Sequence, residues 1–94
     1  MKVLVDTDDP VLAAEAKKLS GDVIIVSNVL PNAHYRRTEG LGIWGFWGAY
    51  YAERPKALAV DPEDKTISIK ERWALAHGVK IVVLRKKPVL PFWG

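Results

Sequence analysis

The chain has 94 residues, a formal net charge of +3 and 49% hydrophobic residues, which predicts one globular domain with a modest core. It has no cysteine, which excludes disulfides and thiolate metal sites, and its two histidines, His34 and His77, are too far apart to suit a histidine-only metal site. The sequence shows neither a signal-peptide pattern nor an apolar run long enough to span a membrane, so we expect a cytoplasmic protein that does not bind membranes.

Two compositional biases bear on partners and habitat. Residues 1–30 carry three lysines and five acidic residues, whereas the chain from residue 80 onward carries four basic residues and no acidic one. Such a basic segment suits an anionic partner or a solvated surface. Glutamine is absent and methionine occurs only at position 1, a depletion that is typical of heat-adapted proteins.

The first part of the chain predicts a strand, a helix and a second strand. Residues 2–6 (KVLVD) form a short apolar run that is typical of a buried strand. Asp8 or Asp9 is then placed to cap a helix over 10–20. Residues 22–27 are apolar without alternation, which indicates a strand that is covered on both faces, as in a parallel sheet.

Residues 40–52 (GLGIWGFWGAYYA) form the most unusual stretch, which is rich in glycine and aromatic residues and carries no charge. The spacing of its large side chains predicts a helix over 41–53. On a helical wheel its large aromatic side chains fall on one arc, where they can cover the sheet. The small residues fall on the other arc, which consists of Gly42, Gly45, Gly48 and Ala49. We expect this small face to contact a second copy of the chain, most simply in a dimer. In the alternative, the C-terminal tail folds back and covers it.

The stretch after the third strand, predicted at 57–61, is open to two interpretations. Residues 66–69 alternate between polar and apolar side chains, so they could close a hairpin with that strand. Ser68, with Glu71 three residues later, instead forms a capping box for a short helix over 69–77. We favour the helix.

The predicted elements alternate between strand and helix, which predicts a small α/β sandwich of two or three layers around a mostly parallel four-stranded sheet. We expect a single domain over 1–94 in which 86–94 is an extended tail, because Pro88 and Pro91 prevent a regular helix. The predicted bounds, in chain order, are 2–6, 10–20, 22–27, 41–53, 57–61, 69–77 and 79–85.

Acidic residues follow the first and third predicted strands. Asp6 and Asp9 come after the first and Asp61 after the third. Loops that follow parallel strands share one edge of the sheet, where open α/β sheets bind ligands. Carboxylates gathered there suit Mg²⁺, and nearby arginine and lysine suit phosphate. This predicts a Mg²⁺-dependent phosphoesterase or phosphotransfer site as one hypothesis, while helix capping and turn formation also explain the same acids.

The segment MKVLVDTDDPVLAAEAKKL resembles the first strand and helix of response-regulator receiver domains, a family whose paired acids hold Mg²⁺. The segment ALAVD places Asp61 where that family's phosphoacceptor aspartate ends its third strand. The resemblance implies a receiver-like fold and phosphotransfer chemistry. The family has one further strand–helix unit, and the apolar helix of this chain has no counterpart in it.

A second hypothesis rests on basic residues that are interleaved with aromatic ones. Arginine pairs with phosphate, and tyrosine or histidine stacks on unpaired bases, so this combination is the footprint of single-stranded nucleic-acid binding. The candidate contacts are His34, Tyr35, Arg36, Arg37, Arg85, Lys86 and Lys87. The sequence favours a self-associating RNA- or DNA-binding module without a cofactor, over the enzyme. No catalytic motif stands on its own.

Overall fold

The computed structural model describes residues 1–37 and 45–85. These ranges contain alternating strands and helices in a three-layer α/β fold, which confirms the predicted fold class. The elements are β1 (Lys2–Asp6), α1 (Pro10–Lys17), β2 (Asp22–Val26), α2 (Gly45–Glu53), β3 (Ala57–Val60), α3 (Ile67–His77) and β4 (Lys80–Val83).

All four strands run parallel in the order β2-β1-β3-β4. The register pairs Val3 with Val23 of β2 on one side and with Ala57 of β3 on the other. The first crossover runs from β1 to β2, and the second returns from β2 past β1 to β3 on its other side. The gap between the carboxyl ends of β1 and β3 is the place where this sheet reverses its winding.

Two apolar cores cover the two faces of the sheet. On one face Leu12 and Ala16 of α1 pack on Val3 and Val5. On the other face the contributions come from α2 and α3, and Leu4 and Leu58 of the sheet are fully buried beneath them. The alternation of neighbouring residues between these faces explains why the strands read as unbroken apolar runs.

The first helix begins as the sequence predicts. Asp9 is its N-cap, with the side chain accepting a 2.9 Å hydrogen bond from the backbone N–H of Val11, and Pro10 occupies the first turn. The helix ends at Lys17, earlier than the predicted residue 20, because the N–H groups of Lys18 and Leu19 bond back with the tighter three-residue spacing of a terminal turn.

The interpretation of residues 66–69 as a hairpin strand is wrong, and so is the placement of the N-cap at Ser68. Helix α3 starts at Ile67, one residue before Ser68, with Thr66 as its N-cap. The reason lies upstream, where the Asp64 carboxylate accepts a 2.7 Å hydrogen bond from the Thr66 N–H and thereby fixes the turn that enters the helix.

Helix α2 differs from the helical-wheel prediction in how it faces the sheet. Ala49, which we expected on the small outward face, is 1% exposed and packs against the sheet with Phe46. The prediction that Ala49 faces outward is wrong, because its small methyl group lies on the side of the helix that packs on β1 and β2. Tyr51, expected over the sheet, is 63% exposed. Gly48 is partly exposed.

The dimer contact through the small face stays a prediction. Gly45 is the first residue of α2, and Gly42 lies outside the described residues. The predicted tail over 86–94 lies outside them too. Within the described ranges no helix has the length and apolarity needed to cross a bilayer.

Two glycines allow a direct test of the backbone at the end of α3. Gly78 has φ 68° and ψ 26°, the left-handed conformation that is costly for other residues, whereas Gly21 lacks a positive φ. A Cβ atom at either position meets no atom within 4 Å, so only the backbone distinguishes them. We expect Gly78→Ala to lower the free energy of unfolding by about 1 kcal/mol, measured by urea denaturation. Gly21→Ala is the control, and an equal loss there contradicts the backbone explanation.

Candidate functional site

The carboxyl edge of the sheet carries a cleft of about 550 Å³. It lies at the reversal between β1 and β3, and it is lined by six acidic side chains together with one arginine and one threonine. The lining residues are Asp6, Thr7, Asp8, Asp9, Arg37, Asp61, Glu63 and Asp64. Because β1 and β3 are adjacent parallel strands, the two acidic turns lie next to each other at this edge.

A threonine joins the two turns directly. The buried Thr7 hydroxyl donates a 3.1 Å hydrogen bond to one carboxylate oxygen of Asp61. The other Asp61 oxygen accepts a 2.8 Å bond from the backbone N–H of Glu63. Asp61 is therefore held in one orientation at the mouth of the cleft, while its side chain remains partly exposed.

Arg37 ties the loop after β2 to the end of β1. Its guanidinium donates to Asp6, and it donates a 2.6 Å bond to Asp8. Asp8 also accepts a 2.7 Å bond from the buried hydroxyl of Ser27 at the end of β2. Fork-shaped donors of this kind fix geometry as well as charge. The arginine thus holds two carboxylates in place on one wall of the cleft.

Lys70 of α3 is the buried cation beneath the cleft, with an exposed fraction of 4%. Its ammonium group forms an ion pair with Asp64 and lies 3.9 Å from a carboxylate oxygen of Asp6. The same nitrogen lies 4.1 Å from the centroid of the Phe46 ring, a cation–π contact. Lys70 therefore connects α3, β1 and α2 beneath a group of acids.

These contacts shift the pKa values of the acids in opposite directions. Burial raises the pKa of Asp6 above its ordinary value, although the charges of Lys70 and Arg37 act against burial. The hydrogen bond from Arg37 lowers the pKa of Asp8. Burial acts to raise the pKa of Asp64, but hydrogen bonds from Lys70 and Thr66 outweigh it and lower that pKa. The cleft thus holds neighbouring carboxyl groups with unequal affinity for protons.

The residues proposed for Mg²⁺ line one cleft but have different partners. Asp6 is engaged by two cations, Asp9 caps α1, and Asp61 bonds to Thr7. Within residues 1–37 and 45–85, no three histidine, cysteine or acidic side chains are arranged to hold a metal ion by themselves. A metal ion here would need ligands from a bound molecule or from water.

The candidate nucleic-acid residues in the loop after β2 make bonds within the chain. The Arg36 guanidinium donates to the carbonyl oxygens of Ser27 and Leu30 at 2.9 and 2.6 Å. The Tyr35 hydroxyl donates to the Glu53 carboxylate, and the His34 ring accepts a bond from the backbone. These bonds, with those of Arg37, give the four residues a role in holding the loop.

The remaining basic candidates lie after β4. Arg85 is exposed, whereas Lys86 and Lys87 lie outside the described residues. Nucleic-acid binding therefore stays a prediction, and it now depends mainly on this basic segment.

Lys70 is the site residue that the sequence reasoning missed. The sequence analysis assigns no role to it within the predicted helix over 69–77. A signal was present in the spacing, because Lys70 lies three residues after Ile67 and four before Ala74, which places it on the inward stripe of α3. A lysine on that stripe needs a buried partner, and Asp64 supplies it six residues upstream.

Comparison of the chain with protein-family models, curated proteins and solved structures finds no match in any of the three.

Removal of the buried cation is expected to destabilise the fold in a pH-dependent way. Lys70→Met leaves Asp6 and Asp64 without their shared counter-charge, and we expect a loss of roughly 3 kcal/mol near neutral pH. The pKa of Asp64 is lowered in the folded state, so its contribution is present above the ordinary value of 3.8 and is lost as pH falls through the lower folded value. The loss on substitution should therefore shrink at about pH 3.

Urea denaturation of both proteins at the two pH values measures this difference. Lys65→Met is the matched control because Lys65 is exposed in the turn before α3. A loss for Lys70→Met that is the same at both pH values would show that lost packing, rather than charge, is the cause.

Proposed function

We propose that the cleft between β1 and β3 binds a divalent cation together with a phosphorylated ligand, and that the protein is a Mg²⁺-dependent phosphoesterase or phosphotransfer domain. The observation that carries the proposal is the position of the acidic cleft at the winding reversal of a parallel sheet. Open α/β sheets bind their ligands at this position, outside the carboxyl ends of the strands.

The charge of the lining supports a cation as one part of the ligand. Six acidic side chains line the cleft, and Arg37 with the buried Lys70 offsets only part of that charge. A bare anion would be repelled by such a lining, whereas a cation or a cation–anion complex is attracted. Carboxylate oxygens are the ligands that Mg²⁺ prefers.

The absence of a three-ligand group among the described residues is compatible with this reading. Mg²⁺ is commonly held by one or two carboxylates, several waters and the phosphate oxygens of the ligand. In the proposal, Asp6 and Asp61, which close the ends of neighbouring strands, supply the carboxylates. The guanidinium of Arg37 is the phosphate partner, because its bonds to Asp6 and Asp8 use two of its five N–H donors and a phosphate oxygen can accept from the others.

A divalent cation and an arginine on either side of a bound phosphate support the transfer of a phosphoryl group. A bound Mg²⁺ neutralises charge on the phosphate and orients it. Asp61 contributes a carboxylate whose direction is fixed by Thr7 and the Glu63 backbone. Arg37 contributes a donor that already lies at the cleft wall.

A single isosteric substitution tests the proposal. Asp61→Asn keeps an oxygen for the Glu63 N–H and turns its NH2 group toward the Thr7 hydroxyl, which can accept as well as donate. The substitution removes the charge, so we expect the fold to persist and the affinity for Mg²⁺ to fall by about tenfold, or about 1.4 kcal/mol. Isothermal titration calorimetry with Mg²⁺, in the presence and absence of inorganic phosphate, measures the affinity for Mg²⁺ and its dependence on phosphate. Hydrolysis of p-nitrophenyl phosphate tests for turnover.

The matched control is Asp22→Asn. Asp22 is an exposed aspartate that begins β2 at the opposite edge of the sheet, so its loss changes the net charge equally without touching the cleft. Wild-type protein that shows no Mg²⁺ binding, with or without phosphate, overturns the proposal. If Asp61→Asn and Asp22→Asn weaken the affinity for Mg²⁺ equally, binding depends on net charge rather than on the cleft, and this result also overturns the proposal.

A further inference from the structure

The exposed edge of β2 is closed by a short segment of the loop that follows it. β2 is an outer strand of the sheet, and beyond it Tyr35 forms an isolated parallel bridge with Val26. The carbonyl oxygen of Ile25 accepts bonds from the backbone N–H groups of His34 and Tyr35 at 2.8 and 3.1 Å. The carbonyl oxygen of Tyr35 accepts a 3.0 Å bond from the N–H of Ser27.

A side chain completes this closure at one position. The backbone N–H of Ile25 donates a 3.0 Å hydrogen bond to Nδ1 of His34. In a regular ladder this N–H would donate to the carbonyl of a neighbouring strand. Residue 34 therefore pairs with Ile25 twice, through its own backbone N–H and through its ring nitrogen.

The bond to Nδ1 exists in only one protonation state of the ring. A neutral imidazole that carries its proton on Nε2 has a free lone pair on Nδ1, whereas both nitrogens of the protonated ring are donors. Protonation therefore places two N–H groups against each other and leaves the Ile25 N–H without its acceptor. Histidine is the residue type that makes this change between about pH 5 and 8.

The surroundings give protons access to the ring. His34 is exposed and borders a cleft of about 410 Å³ at the amino-terminal half of β2. Lys17 of α1 lines the same cleft, and Glu53 at the end of α2 is electrostatically coupled to His34. Ser20, Gly21, Val23 and Asn32 complete the lining.

We propose that His34 is a pH-sensitive clasp on the edge of β2, which closes the edge when the ring is neutral and opens it when the ring is protonated. Val23 lies two residues before Ile25, so its backbone faces the same edge. Opening at Ile25 extends the stretch of edge that another strand can pair with. The proposal for His34 does not rest on the function proposed for the acidic cleft.

The first test uses the unmodified protein. Nitrogen-15 NMR of the imidazole at about pH 8 should show the proton of His34 on Nε2, because Nδ1 accepts the Ile25 bond. A His34 ring that is protonated on Nδ1 at that pH overturns the proposal whether or not any variant folds.

The second test follows the Ile25 amide by hydrogen exchange. Its protection factor, which is corrected for the intrinsic pH dependence of exchange, should fall by about tenfold as pH is lowered from about 8 to about 5. His34→Phe keeps an aromatic ring but has no acceptor, so the factor should be low at both pH values.

His77→Phe is the control, because His77 is the other histidine of the chain and its ring contacts the Trp73 carbonyl and stacks on the Trp73 ring instead. This variant should keep the pH dependence at Ile25. The proposal is overturned if the protection factor of the Ile25 amide in the wild-type protein is the same at both pH values, or if its pH dependence survives in His34→Phe.

Discussion

The parallel direction of all four strands is the constraint on which the other features of the molecule depend. Because each strand is followed by a loop at the same edge, the acids after β1 and β3 are brought together whatever their individual purposes. Asp9 caps a helix and Asp64 shapes a turn, yet both line the cleft with Asp6 and Asp61. A parallel sheet therefore gathers these acidic loops at one edge, which an antiparallel hairpin does not, and cations are needed to offset part of their repulsion.

Two cations meet this need from opposite sides. Arg37 approaches from the loop after β2 and remains partly accessible, whereas Lys70 approaches from α3 and is almost fully buried. A buried ion pair gains little net stability over a well-packed apolar contact, but loss of one partner is costly. Their arrangement is therefore better understood as fixing where α3 and the loop sit relative to β1. The same acids then remain oriented for a ligand, with Thr7 holding Asp61.

The strand–helix alternation was predictable because each signal was local. Apolar runs marked strands such as Asp22–Val26, and Asp9 with Pro10 marked the start of α1. The shared edge of Asp6 and Asp61 followed from parallel topology. The partners of Arg37 and Lys70 did not follow, because they depend on contacts between elements that are distant in sequence. The orientation of α2 was likewise beyond the helical wheel, since a helix with few polar residues has no hydrophobic direction and is turned by the shape of what it packs on.

The aromatic packing between α2 and α3 has a consequence for cooperativity. Trp73 of α3 lies 4.8 Å from Trp47 and 4.1 Å from Tyr50, measured between ring centroids, so its ring is shared by both helices. A glycine-containing helix of nine residues has little stability of its own. Loss of α3 would remove the Trp73 contacts and leave α2 only its packing on the sheet through Phe46 and Ala49. We therefore expect the two helices to detach and re-form as one subglobal unit. Helix α1, on the opposite face, belongs to a different unit. The sheet thus separates two regions that can open independently.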